Sequence, residues 1–73
     1  MREILTVYEI NERYCKGNYF ENLRYTPIYF DDKMITWREF ELWMSQQPSD
    51  MKLLVEAFPN VDFLYIRTNL DGN

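Results

Sequence analysis

The stretch that decides the fold reads ITWREFELWMSQQP and spans residues 35–48. Thr36 suits an N-cap, and Glu39 three positions later completes a capping box, in which each side chain accepts the backbone N–H of the other residue. Large apolar side chains recur at helical spacing on one face of this stretch: Trp37, Phe40, Trp43 and Met44. Pro48 ends the run because it has no N–H to donate. The stretch predicts a helix over Trp37–Gln46.

The same beginning occurs earlier in the chain. LTVYEI at residues 5–10 matches ITWREF at residues 35–40 in chemical type, position by position. Thr6 takes the role of the cap and Glu9 closes the box. This pattern predicts a helix over Val7–Cys15. Two helices that start by the same physics explain the match, because six residues are too few for a repeat architecture.

The remaining elements follow turn and capping signals: a lead-in at Met1–Glu3, a β-hairpin at Thr26–Ile35, a helix at Asp50–Phe58, a strand at Val61–Thr68 and a frayed tail at residues 69–73. For Asn18–Tyr25 we favour a short helix, with a strand as the alternative. Apolar residues on both faces of the last strand indicate that it is covered on both sides or keeps one face for a partner. We therefore expect one α+β domain over residues 1–73, with three or four short helices and a small antiparallel hairpin or sheet.

The charge balance disfavours nucleic acid as a partner. The net charge is −4, and all of the excess negative charge lies after residue 30. A nonspecific DNA binder needs a basic surface to release counterions from phosphate. The excess is either ordinary solvated surface or an acidic face for a basic partner. A single cysteine, Cys15, makes no internal disulfide, and no apolar run is long enough to span a bilayer, so we expect a cytoplasmic protein without membrane contact.

The residues that carry most enzyme chemistry are missing. The chain has no histidine and only two glycines, which removes the commonest general base, most zinc sites and any glycine-rich phosphate loop. Ser45 and Ser49 lie in no recognisable catalytic motif. We expect no catalytic residue, no metal and no cofactor, and we assign most of the many aromatic residues to the core.

The order of the predicted elements resembles the winged helix of phage excisionases and related regulators. Residues 5–10 look like the start of the first helix of that family, residues 28–35 like its wing and residues 38–43 like the start of its final helix. The resemblance implies a winged-helix-like fold. DNA binding is not carried over, because the wing of this chain contains Asp31-Asp32 and the second helix lacks the Ser or Thr cap of the family.

In general character the chain also resembles small phage-encoded inhibitors of host RNA polymerase. That resemblance predicts a non-enzymatic protein that inhibits or modulates transcription in the host cytoplasm by contact with a larger protein, possibly RNA polymerase. The alternatives are an excisionase-like DNA-binding regulator and a DNA mimic that inhibits a nucleic-acid enzyme. Residues at the hairpin tip, on the open side of the central helix and in the N-terminal segment are the predicted partner-binding residues: Asp31, Asp32, Glu41, Leu42 and Tyr8.

Overall fold

Two helices and five strands make up residues 2–16, 25–58 and 63–71, the part of the chain that the computed structural model describes. In chain order the elements are β1 (Arg2–Thr6), α1 (Val7–Tyr14), β2 (Pro27–Phe30), β3 (Lys33–Thr36), α2 (Trp37–Met44), β4 (Lys52–Phe58) and β5 (Phe63–Arg67). The predicted α+β class is confirmed. The predicted three or four helices and the winged-helix-like arrangement are wrong, because the described residues form two helices and one five-stranded sheet.

The five strands form a single mixed sheet in the order β1-β4-β5-β2-β3. All neighbours are antiparallel except β2 and β5, which run parallel. The last strand in the chain is therefore the central strand of the sheet. The hairpin of β2 and β3 was predicted as a free wing, but β2 also pairs with β5, so the hairpin is an integral part of the sheet.

Both helices pack on the same face of the sheet, which we call the helix face. The cluster of buried residues joins α1 and α2 to alternate residues of the strands: Leu5, Val7, Ile10, Ile28, Trp37, Phe40, Met44, Leu53, Val55 and Ile66. Aromatic contacts connect the two layers, because the Phe30 ring lies 5.1 Å from Phe40 and 4.6 Å from Trp43. The predicted apolar face of the central helix is thus the face that contacts the sheet.

The two capping boxes occupy equivalent positions at the two edges of the sheet. Each edge strand runs directly into its helix through the capping threonine, Thr6 or Thr36, and both boxes are complete. In each case the first N–H of the helix donates to the carbonyl of the residue just before the neighbouring strand. Val7 donates to Met51 at 2.8 Å, and Trp37 donates to Thr26 at 3.0 Å. An approximate two-fold axis through β5 therefore relates β1, α1 and β4 to β3, α2 and β2.

The segment predicted as a helix over Asp50–Phe58 is the strand β4. Its apolar residues fit a helical spacing, but the run Leu53–Val55 is fully buried, and periodicity cannot distinguish a short buried helix from a strand covered on both faces. Pairing decides the matter, because β4 bonds to β1 on one side and to β5 on the other. Ser49 is not a helix cap, since its carbonyl accepts the N–H of Tyr8 at 3.0 Å.

The lead-in predicted at Met1–Glu3 is also wrong, because β1 begins at Arg2. The predicted boundaries of the two capped helices are close, since they end at Tyr14 and Met44. The strand predicted over Val61–Thr68 is confirmed over Phe63–Arg67, and Val61 and Asp62 lie outside the described residues. The question of helix or strand over Asn18–Tyr25 falls on residues outside the described ranges, except for Tyr25.

Candidate functional site

The second face of the sheet, which neither α1 nor α2 covers, is the candidate site. We call it the outer face and define it by the strand residues that alternate with the helix-face residues: Arg2, Ile4, Lys52, Leu54, Glu56, Tyr65, Arg67, Tyr29 and Met34. Strand geometry produces this set, since successive side chains point to opposite faces.

One row of the outer face crosses all five strands. The register pairs Arg2 with Glu56, Glu56 with Tyr65, Tyr65 with Tyr29 and Tyr29 with Met34. The two tyrosine rings are stacked, with centroids 4.8 Å apart and an interplanar angle of 9°. Side chains directly opposite on one face of a sheet are close enough to interact. The row is therefore a continuous surface rather than a set of isolated residues.

Charged groups complete the row on the β1 side. The Arg67 guanidinium lies 5.6 Å from the centroid of the Tyr65 ring, a distance typical of a cation–π contact. Arg67 also donates to Glu56 at 2.8 Å, whereas Arg2 reaches the same carboxylate oxygen at 3.4 Å. The outer face holds three cations and one anion, so it is positive on a chain whose net charge is −4.

Large apolar side chains are exposed at both ends of the outer face. Ile4 on β1 is 52% exposed and Met34 on β3 is 57% exposed, while Leu54 on β4 is 2% exposed. Tyrosine, arginine and methionine are enriched at the centres of protein–protein interfaces. The composition of the outer face thus matches that of a surface that binds protein.

Only part of the backbone of the edge strand β1 has hydrogen-bonding groups that could pair with a further strand. Hydrogen-bonded pairs alternate along an antiparallel ladder, and the bond from Val7 to Met51 fixes the phase on β1. The N–H and C=O groups of Arg2 and Ile4 consequently face away from β4. The Thr6 N–H faces the same way, but it donates to the Glu9 carboxylate at 2.9 Å. The capping box therefore occupies the outward N–H at the Thr6 end of β1, and it does not use the outward backbone groups of Arg2–Ile4.

The two predicted acidic residues of the hairpin tip, Asp31 and Asp32, differ in their contacts. Both adopt positive φ, 48° for Asp31 and 69° for Asp32. The carboxylate of Asp31 accepts the Thr68 N–H at 3.0 Å and the Thr68 hydroxyl at 2.8 Å, so it holds the end of β5 against the hairpin. Asp32 is exposed. Asp32 is therefore placed as a partner-binding residue would be, whereas the Asp31 carboxylate is engaged by Thr68.

The other predicted partner-binding residues lie on the helices. Leu42 on α2 is 51% exposed and Tyr8 on α1 is 59% exposed. Glu41 forms an ion pair with Arg38 at 2.8 Å, and its side chain is 28% exposed. The hairpin tip and the two helices are different parts of the molecule, so the five predicted residues do not form one row comparable to that of the outer face.

Most described carboxylates have partners within the chain. Ion pairs engage Glu3 with Arg13 at 2.7 Å and Glu12 with Lys16 at 2.7 Å. Hydrogen bonds from Thr6 hold the pKa of Glu9 below its ordinary value, and a hydrogen bond from Lys16 does the same for the pKa of Glu12. Among the carboxylates after residue 30, where the acidic face was predicted, four are engaged within the chain: Asp31, Glu39, Glu41 and Glu56. Asp32 and Asp50 are exposed.

The remaining reactive group is Cys15, the C-cap of α1. Burial, together with the nearby charge of Glu41, raises the pKa of its thiol to about 12. A thiol with so high a pKa is a poor nucleophile near neutral pH. Within residues 2–16, 25–58 and 63–71, no three His, Cys, Asp or Glu side chains are grouped as metal ligands would be. No helix in the same ranges is long and apolar enough to cross a membrane.

The sequence contained one signal for the outer face. Tyr65 lies between Leu64 and Ile66, and this alternation raised the possibility that one face of the last strand is kept for a partner. The signal for Tyr29, Met34 and Ile4 was missing, because their position depends on strand order.

The comparisons with known proteins add no relative. No protein-family model, no curated protein and no solved structure matches this chain.

Proposed function

We propose that this protein is a small non-enzymatic binding domain that acts by protein–protein contact through the outer face of its sheet. The observation that supports this proposal is the row that runs from Met34 through the stacked tyrosines and Glu56 to Arg2, with Arg67 beside Tyr65 and Glu56. Exposed apolar side chains lie at both ends of that face, at Ile4 and Met34. Such side chains supply contact area, and the arginines supply specificity.

The stacked tyrosines favour a protein over a nucleic acid as the partner. Proteins that bind single-stranded nucleic acid offer the flat faces of aromatic rings to the bases. Here one face of the Tyr65 ring lies against Tyr29, and the Arg67 guanidinium lies near the same ring. The rings are thus engaged with each other and with Arg67, so their faces are not offered to bases.

The finer proposal is that the protein is a phage-encoded inhibitor or modulator of host transcription that acts on RNA polymerase in the host cytoplasm. The general character of the chain supports it: small size, acidic composition and the lack of histidine. The excisionase-like alternative depended on a winged helix, and the described strands form a five-stranded sheet instead. The DNA-mimic alternative depended on an acidic face, whereas most described carboxylates are engaged within the chain.

The test compares two pairs of exposed apolar residues of similar accessibility. Ile4→Ala and Met34→Ala alter the outer face, and Leu42→Ala and Tyr8→Ala alter the helices at matched exposure. Surface plasmon resonance measures the dissociation rate of each variant from purified RNA polymerase. If RNA polymerase does not bind, the same series is run on the host protein that the wild type captures.

We expect the two outer-face variants to dissociate about tenfold faster, because truncation of an apolar side chain that is buried in an interface costs about 1–2 kcal/mol. The two helix variants should dissociate like the wild type. The reverse pattern would place the interface on the helices and would support the residues predicted from the sequence. Absence of binding to RNA polymerase contradicts the finer proposal alone.

A further inference from the structure

The outer face meets the edge of β1 at Ile4, and no described strand pairs with that edge. This junction has three properties at once. The backbone N–H and C=O groups of Arg2 and Ile4 face away from β4. The Ile4 side chain is 52% exposed on the outer face. Two cations flank it, because Arg2 lies two positions away on the same strand and Lys52 is its diagonal neighbour on β4. Diagonal neighbours on one face of a sheet are within reach of long side chains.

The flanking cations are only loosely engaged. The Arg2 side chain is 56% exposed and lies 3.4 Å from Glu56, whose carboxylate oxygen is bound more closely by Arg67. Lys52 is exposed. On the other side of β1, Glu3 is neutralised by Arg13 at 2.7 Å, so it does not offset the two cations.

We propose that the edge of β1 binds, by addition to the sheet, an extended segment of a partner protein in which an acidic residue and an apolar residue stand two positions apart. This inference depends on the proposed function and specifies the chemistry of the partner. Strand addition uses backbone hydrogen bonds for affinity and alternate side chains for specificity. Both residues then lie on the outer face, because side chains two positions apart share a face; the apolar residue packs on Ile4 and the carboxylate binds Arg2.

The charges select β1 over the opposite edge of the sheet. On β3 the exposed side chain is Met34, and Asp32 and Lys33 next to it have opposite charges. An acidic segment gains nothing from that balance. The Glu9 carboxylate sits at the Thr6 end of β1, and it repels a carboxylate there. The segment therefore pairs with Arg2–Ile4, with its acidic residue opposite Arg2.

The experiment uses the full chain and blocked synthetic peptides of about seven residues, a length that suits strand addition. In the first peptide a glutamate and a valine stand two positions apart among uncharged residues, in the second lysine replaces glutamate, and in the third the backbone amides that face β1 are N-methylated. Amide hydrogen exchange and chemical shifts are followed by NMR. The glutamate peptide should slow exchange of the Ile4 amide about tenfold at saturation, and the other two peptides should leave it unchanged.

Two variants strengthen the test without altering the core. Arg2→Glu should weaken the glutamate peptide about tenfold and should allow the lysine peptide to bind. Met34→Thr, at the opposite edge, should have no effect on either peptide. Equal binding of the lysine and glutamate peptides overturns the proposal, and so does protection at Met34 instead of Ile4. Absence of any protection at millimolar peptide also overturns it.

Two further outcomes distinguish this inference from the proposed function. If the chain forms dimers in which β1 pairs with β1 of a second copy, the occupant is a second copy and the inference is wrong. If no peptide binds but Ile4→Ala and Met34→Ala still speed dissociation of the protein partner, the inference fails and the proposed function stands. If the glutamate peptide binds but neither variant affects the protein partner, the proposed function fails.

Discussion

Replacement of Ile66 with Ala tests the claim that the last strand is the centre of the molecule. The Ile66 side chain is 0% exposed, and its register partners are Val55 on β4 and Phe30 on β2. Alanine removes three carbon groups, which corresponds to about 2.4 kcal/mol of transfer free energy at about 0.8 kcal/mol each. Neighbours on two strands cannot all move inward, so the remaining cavity raises the expected loss to about 3–4 kcal/mol.

The assay is urea denaturation, followed by tryptophan fluorescence and by circular dichroism. A domain of this size has a total stability of roughly 4–11 kcal/mol, so the loss should lower the midpoint markedly while the slope stays constant. Ile66→Val should cost about 1 kcal/mol. Leu42→Ala is the matched control, because Leu42 is 51% exposed and its truncation should change stability by less than about 0.5 kcal/mol.

Two results would refute this reasoning. A loss below about 1 kcal/mol for Ile66→Ala would mean that β5 is not enclosed by β4 and β2 as described. A loss for Leu42→Ala as large as that for Ile66→Ala would mean that α2 buries a different face. The first result would also remove the basis for the outer face, because its residues are assigned by the same register.

Three other predictions concern the turn, the caps and the thiol. Asp32→Gly should raise stability by about 1 kcal/mol in urea melts, because glycine adopts positive φ without a steric cost; Asp31→Gly should not, since it also removes the bonds to Thr68. The pKa values of Glu9 and Glu12 are lowered from 4.5. Their contribution to stability is therefore present above that pH and is lost as the pH falls through the lowered values. Below about pH 4.5, the urea midpoint of Glu9→Gln should decline less steeply with falling pH than that of the wild type. The pKa of the Cys15 thiol is about 12, against an ordinary 9.0, so Cys15 should contain about a thousandfold less thiolate than a free thiol. A disulfide reagent should therefore modify Cys15 rapidly only after unfolding. Equal modification rates in the folded and the unfolded protein would contradict the burial of this thiol.

Local chemistry made the helices predictable. Both capping boxes, the apolar face of α2 and the turn between β2 and β3 depend on residues within a few positions of one another, so the sequence contains all of the relevant information. The match between residues 5–10 and 35–40 held a further signal. Since residues 33–35 were predicted as a strand that runs into a capped helix, the equivalent residues 3–5 should have been predicted as one too.

The strand β4 and the outer face could not be predicted from the sequence, because they depend on pairing between distant parts of the chain. The segment Lys52–Phe58 forms a strand because β1 and β5 flank it, although its apolar spacing fits a helix equally well. The outer face could not be predicted for the same reason, since Tyr29 and Tyr65 are 36 positions apart in the chain and become neighbours only through the parallel pairing of β2 and β5. The predicted site residues were chosen by expected exposure, which found Leu42 and Tyr8 but could not show which exposed residues lie together.

The parallel junction between β2 and β5 has a consequence for how the native protein opens. Five register pairs join β5 to β4, whereas two join it to β2. The clasp between Asp31 and Thr68 lies at the end of this shorter junction. Proteins open in cooperative units whose free energies differ. The unit formed by β2, β3 and α2 should therefore separate from the remaining strands before global unfolding, and the amides of β2 should lose deuterium-exchange protection earlier than those shared by β4 and β5.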